Sequence, residues 1–135
     1  MSKPVPFRPS PPGAKVALVV DDDAASRTLA AATLSQVFCV YVADDAQRAM
    51  QILLEIAAPA ILVCDIAMPG VDGLQFVKTL RDIPKLAQMP VLFLTAKAMP
   101  MDVVAGINAG ARFYLTKPFK PDDLLTKAKK ASGVV

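Results

Sequence analysis

The stretch Ile61-Leu62-Val63-Cys64-Asp65-Ile66-Ala67-Met68-Pro69-Gly70 decides how the rest of the chain is read. Four apolar residues run into one carboxylate, and a Pro-Gly turn follows. An apolar run of that length, bounded by a turn, has the form of a buried strand. Asp65 then stands where the strand leaves the core, at the carboxyl edge of a sheet, where open parallel sheets collect ligands and chemistry. Three other stretches have the same design: Val16 to Asp22, Val91 to Thr95, and Phe113 to Lys117. A fold that aligns the four runs gathers aspartates, a threonine and a lysine at one edge.

The 135 residues are 54% hydrophobic and 20% charged, which suits one domain with a sizeable core. No apolar run approaches the roughly 18 residues of a membrane span. The amino-terminal stretch, broken by prolines, has no continuous apolar segment of signal-peptide type. The expectation is a cytoplasmic protein without a membrane partner. The net charge of +3 is mildly basic. Its one local cluster, Lys127, Lys129 and Lys130, reads as the solvated last turn of a helix, favourable with the helix dipole, rather than as a nucleic-acid surface. Cys39 and Cys64 lie in apolar strand-like runs and read as small buried residues, too far apart for a disulfide if one strand separates them. The chain has no histidine. That excludes a Ser-His or Cys-His pair, a His-ligated metal, and a phosphohistidine role within this chain.

Residues 1–14 carry five prolines and Gly13 and read as a flexible tail outside the fold. Residues 15–135 then form one domain. Val16 to Val20 is a strand, followed by a helix from about Ala24 to Ser35 with Asp23 as its cap. Cys39 to Val42 is a second strand. Asp44 or Asp45 caps a helix whose Ala46, Ala49, Met50, Leu53, Leu54 and Ala57 form an apolar stripe. Ala60 to Cys64 is the third strand, and a third helix runs through Leu74, Val77 and Leu80. Pro84 to Pro90 is a loop, and Val91 to Leu94 a strand ending at Thr95. A helix from about Met101 to Ala109 ends at Gly110. Phe113 to Leu115 is the fifth strand, and Pro121 opens a last helix with Leu124, Leu125 and Ala128 facing inward. Five strands alternating with five helices predict an α/β, doubly wound parallel sheet covered on both faces. Right-handed crossovers favour the flavodoxin-like strand order 2-1-3-4-5. Its switch point lies between strands one and three, where Asp21, Asp22 and Asp65 meet.

Three carboxylates in one crevice repel one another, by roughly 3 kcal/mol per ionised pair at about 5 Å and an effective dielectric near 20. A cation or a neutralised carboxyl relieves this. Oxygen ligands without histidine or thiolate favour a hard ion, and Mg²⁺ fits best because it keeps waters and leaves a position for a phosphate oxygen. The backbone carbonyl of Ala67 is a further candidate ligand. Lys117 supplies a mobile positive charge and Thr95 a hydroxyl. Together these groups form a receptor for phosphoryl oxygens around the Asp65 carboxylate. The chemistry this implies is in-line attack by Asp65 on a phosphoryl donor, giving an aspartyl phosphate.

At this point the chain resembles a response-regulator receiver domain of two-component signalling, over about residues 15 to 131. Asp21-Asp22 after Leu18-Val19-Val20 is similar to the family's metal-binding acid pair. Asp65, with Met68-Pro69 and Asp72-Gly73 behind it, resembles the phosphoacceptor motif. Thr95-Ala96 matches the switch threonine with its small neighbour, Lys117-Pro118-Phe119 the Lys-Pro-Phe motif, and Tyr114 the aromatic switch position. The resemblance implies that phosphorylation draws Thr95 toward the phosphoryl group and turns Tyr114 inward. The surface of the fourth helix, fifth strand and fifth helix is then remodelled. It implies a histidine kinase or phosphotransfer protein as donor and a downstream protein as target, with no direct nucleic-acid contact. Ala67 and Lys97 fall where the family tunes dephosphorylation, one leaving the site open and the other able to shield it. Arg112 stands where many DNA-binding members carry an acid.

The leading expectation is thus a stand-alone phospho-receiver, a signalling switch rather than an enzyme. A phosphorylation-independent interaction module with the same fold is the alternative. A phosphohydrolase with an aspartate nucleophile is disfavoured, because the acid such enzymes place two residues on is here Ala67. Neither a Gly-x-Gly-x-x-Gly nor a Gly-Lys-Ser/Thr loop is present for a nucleotide. Asp72-Gly73 reads as a turn and helix start.

Overall fold

A computed structural model describes residues 3–96 and 110–134. Within them the chain forms β1 (Val16–Val20), α1 (Ala24–Leu34), β2 (Cys39–Ala43), α2 (Ala46–Glu55), β3 (Ile61–Cys64), α3 (Gly73–Arg81), a short 3-10 turn (Pro84–Leu86), β4 (Val91–Thr95), β5 (Ala111–Thr116) and a C-terminal helix (Pro121–Ser132). The sheet is fully parallel, in the order β2-β1-β3-β4-β5. Four α-helices lie among the described residues. The fourth expected helix, over about 101 to 109, falls outside them, as does Lys97.

β1, β3 and β4 are buried on both sides because successive side chains point to opposite faces and both faces carry helices, while the edge strands β2 and β5 are partly covered. Leu18, Val20, Leu62, Cys64, Val91 and Phe93 enter one core with Ala49, Leu53, Phe76, Val77 and Leu80 from α2 and α3. Ala17, Val19, Ile61, Val63, Leu92 and Leu94 enter the other, with Ala30, Leu34, Leu124 and Ala128 from α1 and the C-terminal helix. Such near-continuous burial is why these strands read as unbroken apolar runs rather than as alternation.

Helix starts are set by three aspartates. Asp23, Asp45 and Asp72 each accept a hydrogen bond from the backbone N–H three residues on, at Ser26, Arg48 and Gln75. Of the two candidates for α2, the cap is Asp45. The expected α2 stripe is partly corrected. Ile52 is buried, while Leu54 is 63% exposed and Ala57 lies beyond the helix end. The buried face centres near Ala49. At 3.6 residues per turn Ile52 lies about 60° from that centre and Leu54 about 140°. On α3 the buried set includes Phe76 beside Val77 and Leu80, with Leu74 only partly covered.

The amino-terminal segment, expected outside the fold, makes contacts with it. Phe7 donates its N–H to Val40 O at 2.6 Å and packs its ring on the core shared by α1 and the C-terminal helix. Cys39 and Cys64 are free thiols on β2 and β3, with β1 between them. They are also four positions out of register, opposite Val16 and Val20 respectively.

Candidate functional site

β1 and β3 are neighbours, with Val20 opposite Cys64. The next residue on each is an aspartate, so Asp21 and Asp65 leave the sheet side by side at its carboxyl edge. Asp65 N–H still donates to Val20 O at 2.9 Å, and Asp21 N–H to Ala43 O at 3.1 Å. Both side chains are nearly buried, at 1% and 5% exposure, while Asp22 is exposed. Ligand oxygens of Asp21, Asp22 and Asp65 lie within 4.8 Å of one another.

Lys117 completes the cluster from the other side of the sheet. β5 ends with Thr116 opposite Thr95, and Lys117 N–H then takes Thr95 O at 2.8 Å. From there Lys117 Nζ comes to 2.7 Å from Asp21 Oδ2 and 3.1 Å from Asp65 Oδ2. The second contact is a hydrogen bond; the first has ion-pair distance without hydrogen-bond geometry. Asp21 Oδ1 accepts from Asp23 N–H and Asp65 Oδ1 from Ala67 N–H, at 2.9 and 3.2 Å. The Lys117–Pro118 peptide is cis.

The electrostatics follow from burial and crowding. Burial pushes the Asp65 carboxyl up, Lys117 pulls it back, and Asp21 pushes it up again, leaving it above its ordinary value. Burial works against the charge of Lys117, but attraction to Asp21 and Asp65 outweighs it and holds the ammonium above its ordinary value. Cys64, packed behind Asp65, has its thiol pushed far up by burial, so no nucleophilic thiolate competes here.

A divalent cation fits these residues. The donors are all oxygens, they converge, and Asp21 Oδ2 is buried without a hydrogen bond, with the Lys117 ammonium against it. Ala67 is exposed beside the cluster.

Thr95 is buried at the end of β4, at the same edge. Tyr114 sits opposite Phe93 on β5, partly buried, with ring centroids 5.4 Å apart at 42°.

Arg27 and Arg81 support the site without a clear signal in the sequence, and Gly73, read there as a motif and turn residue, has a further role. Arg27 Nη1 donates to Asp21 O at 2.9 Å and holds the β1–α1 loop from inside α1. Arg81 Nη1 donates to the carbonyls of Leu86, Ala87 and Met89, and Nη2 to Gly110 O, tying the α3–β4 connection to the start of β5. Gly73 is more than a turn residue. A Cβ there would run into the backbone of Asp65, and Gly73 N–H donates to Ile66 O at 2.8 Å, so the absence of a side chain sets how α3 approaches the site.

A parallel α/β sheet with an acid cluster and a lysine at its switch point defines the class, a doubly wound fold with its site in the crevice at the carboxyl ends of the strands. The family is settled by comparison: residues 17–129 match the model of the response regulator receiver domain. The chain belongs to that family, the receivers of two-component systems, and has its signalling-switch fold. It is 40% identical over 109 residues to response regulator Rre1 of Synechocystis, covering 79% of this chain and 47% of that protein. It is also 40% identical over 109 residues to an uncharacterized 14.6 kDa protein of Leptolyngbya boryana, covering 80% and 82%. Among solved structures, the chemotaxis protein CheY4 of Vibrio cholerae superposes with a TM-score of 0.83 at 28% identity, covering 88% of this chain and 99% of that one. The chain spans about half the length of several curated regulators it matches. Receiver domains typically use Mg²⁺ at such an aspartate cluster, and Asp21, Asp22 and Asp65 are positioned to hold a metal. No helix among the described residues is long and apolar enough to cross a membrane.

Proposed function

We propose that this chain is a phospho-accepting switch in which Asp65 is the phosphoacceptor. The observation that carries the reading is the single ammonium of Lys117 set between Asp21 Oδ2 and Asp65 Oδ2, 2.7 and 3.1 Å away. One cation balances two carboxylates and can exchange partners as a third anionic group arrives.

In the reaction an Asp65 carboxylate oxygen attacks the phosphorus of a donor from a histidine kinase or phosphotransfer protein. The new bond is Asp65 O–P, and the bond from phosphorus to the donor atom breaks. Asp21, Asp22, Asp65 and the Ala67 carbonyl would hold Mg²⁺, which when bound neutralises phosphoryl charge. Lys117 follows the negative charge from the carboxylates to the phosphoryl oxygens, and the Thr95 hydroxyl donates to one of them. Ala67 N–H, on Asp65 Oδ1, restrains the rotation of the nucleophile. Most of the rate enhancement is positioning and charge balance. As Thr95 moves, Tyr114 repacks against Phe93, and the surface of β5 and the C-terminal helix changes for a downstream protein. The domain so defined is residues 15–135, it works in the cytoplasm, its output is protein binding or onward phosphotransfer without direct nucleic-acid contact, and it catalyses only its own phosphoryl transfer and loss.

The test is intact mass after incubation with Mg²⁺ and a small-molecule phosphodonor. One labile phosphoryl group is expected on the wild type and none on Asp65→Asn or in chelator. Equal labelling of Asp65→Asn overturns the assignment of Asp65. No labelling from small donors or a cognate kinase points to the phosphorylation-independent interaction module.

A further inference from the structure

β2 is an edge strand, paired with β1 on one side only. Cys39 N–H donates to Lys15 O, so the backbone groups of Val40, one residue on, point to the open side. An open edge made of Cys39-Val40-Tyr41-Val42-Ala43 is a hazard: it is apolar or aromatic throughout, β-prone, uncharged and free of proline. The structure places the amino-terminal segment on that edge. Phe7 N–H takes Val40 O at 2.6 Å, its ring packs on the core that Val37 and Val42 also border, and the Arg8 guanidinium lies 5.0 Å over the ring.

The composition of the segment suits an end cap rather than another strand. Residues 3–6 have no regular structure and Phe7-Arg8 is a bend, and two of the three residues just before Phe7, Pro4 and Pro6, have no N–H to offer a further strand. Arg8 adds a charge. Proline, charge and coverage are the means by which sheet edges are kept from pairing.

We infer that residues 3–8 are a built-in cover for the β2 edge, and that the occupant they exclude is the β2 strand of a second copy of this chain. Two copies of Cys39–Ala43 can meet across a two-fold axis, each offering Val40 and Val42 to the other, which is a self-complementary interface. The cover works by holding Val40 O with Phe7 and presenting a donor-poor outer side.

The test compares the full chain with a form lacking residues 1–9 and with Phe7→Asp, by sedimentation over a concentration series and by amide exchange. The truncated form is expected to dimerise at roughly tenfold lower concentration than the full chain or lower still, about 1.4 kcal/mol or more in association. Its Val40 and Val42 amides should become slower to exchange as the dimer forms. Phe7→Asp should move the same way by a smaller factor. If truncation prevents folding, Phe7→Asp decides alone. Sedimentation identical to the full chain overturns the inference, and so does association that leaves Val40 and Val42 exchange unchanged.

Discussion

At their carboxyl ends β1, β3, β4 and β5 stop at Asp21, Asp65, Thr95 and Lys117, while at their amino ends the same strands begin from Lys15, Ala60, Pro90 and Gly110. Between the two ends β1, β3 and β4 do not differ: Leu18, Leu62 and Phe93 are as buried as any side chain among the described residues, while β5 is only partly covered. The amino end also has space. A cavity of about 440 Å³ at the amino end is lined by the 11–15 stretch with Val37, Gly133 and Val134, and its one charged residue is Lys15. The carboxyl end instead brings two buried carboxylates against one ammonium. A sheet of this kind makes two crevices, and the residues that terminate the strands decide which one carries chemistry.

The comparison breaks most visibly at Lys117. Lys117→Ala leaves Asp21 and Asp65 buried without their cation, and loss of one side of such a pair costs about 3–5 kcal/mol. Urea unfolding should show a loss of that order, and millimolar Mg²⁺ should recover much of it, about 2.7 kcal/mol at a hundredfold excess over its dissociation constant. A loss that Mg²⁺ does not touch would mean that the ammonium and the metal do not share this site.

Gly73→Ala is next. The added methyl meets the Asp65 backbone, and overpacking of that kind costs about 1–3 kcal/mol. It should also slow labelling of Asp65. Gly70→Ala, in the same loop, meets nothing but has φ +77°, so it should cost about 1–2 kcal/mol with little effect on labelling.

The raised Asp65 carboxyl gives a pH signature. Between its ordinary and its folded value the native state holds a proton that the unfolded state has lost. Stability attributable to Asp65 therefore falls as pH rises through that window. Relative to Asp65→Asn, the wild type should lose stability from acid toward neutral pH, while its labelling rate rises as the nucleophile ionises. Unfolding and labelling series on both proteins check the two signs. The smallest effect belongs to the amino end. Lys15→Ala should stay within about 0.5 kcal/mol and leave labelling unchanged.

What was legible in the sequence was local or periodic. The four strand ends, the cluster of Asp21, Asp22 and Asp65, and the caps Asp23 and Asp72 follow from apolar runs meeting polar residues. The α2 register was less legible, because Leu54 and Ile52 are equally apolar and only packing on β1 and β2 selects Ile52. Arg27 and Arg81 were invisible for another reason: their partners are backbone carbonyls, which exist at every position and leave no mark in the pattern. Phe7 was hidden by its prolines, which read as a tail although their missing N–H groups suit an edge. The role of Gly73 needed the path of Asp65 beside it.

The measurement that tests the account most directly is the location of the phosphoryl group. After labelling with a small-molecule donor and Mg²⁺, borohydride reduction converts an aspartyl phosphate to homoserine, and peptide mapping finds the converted residue. The account predicts conversion at Asp65 alone, in the peptide that contains Cys64 and Met68. Conversion at Asp21 or Asp22, or labelled protein with no converted aspartate, would contradict it.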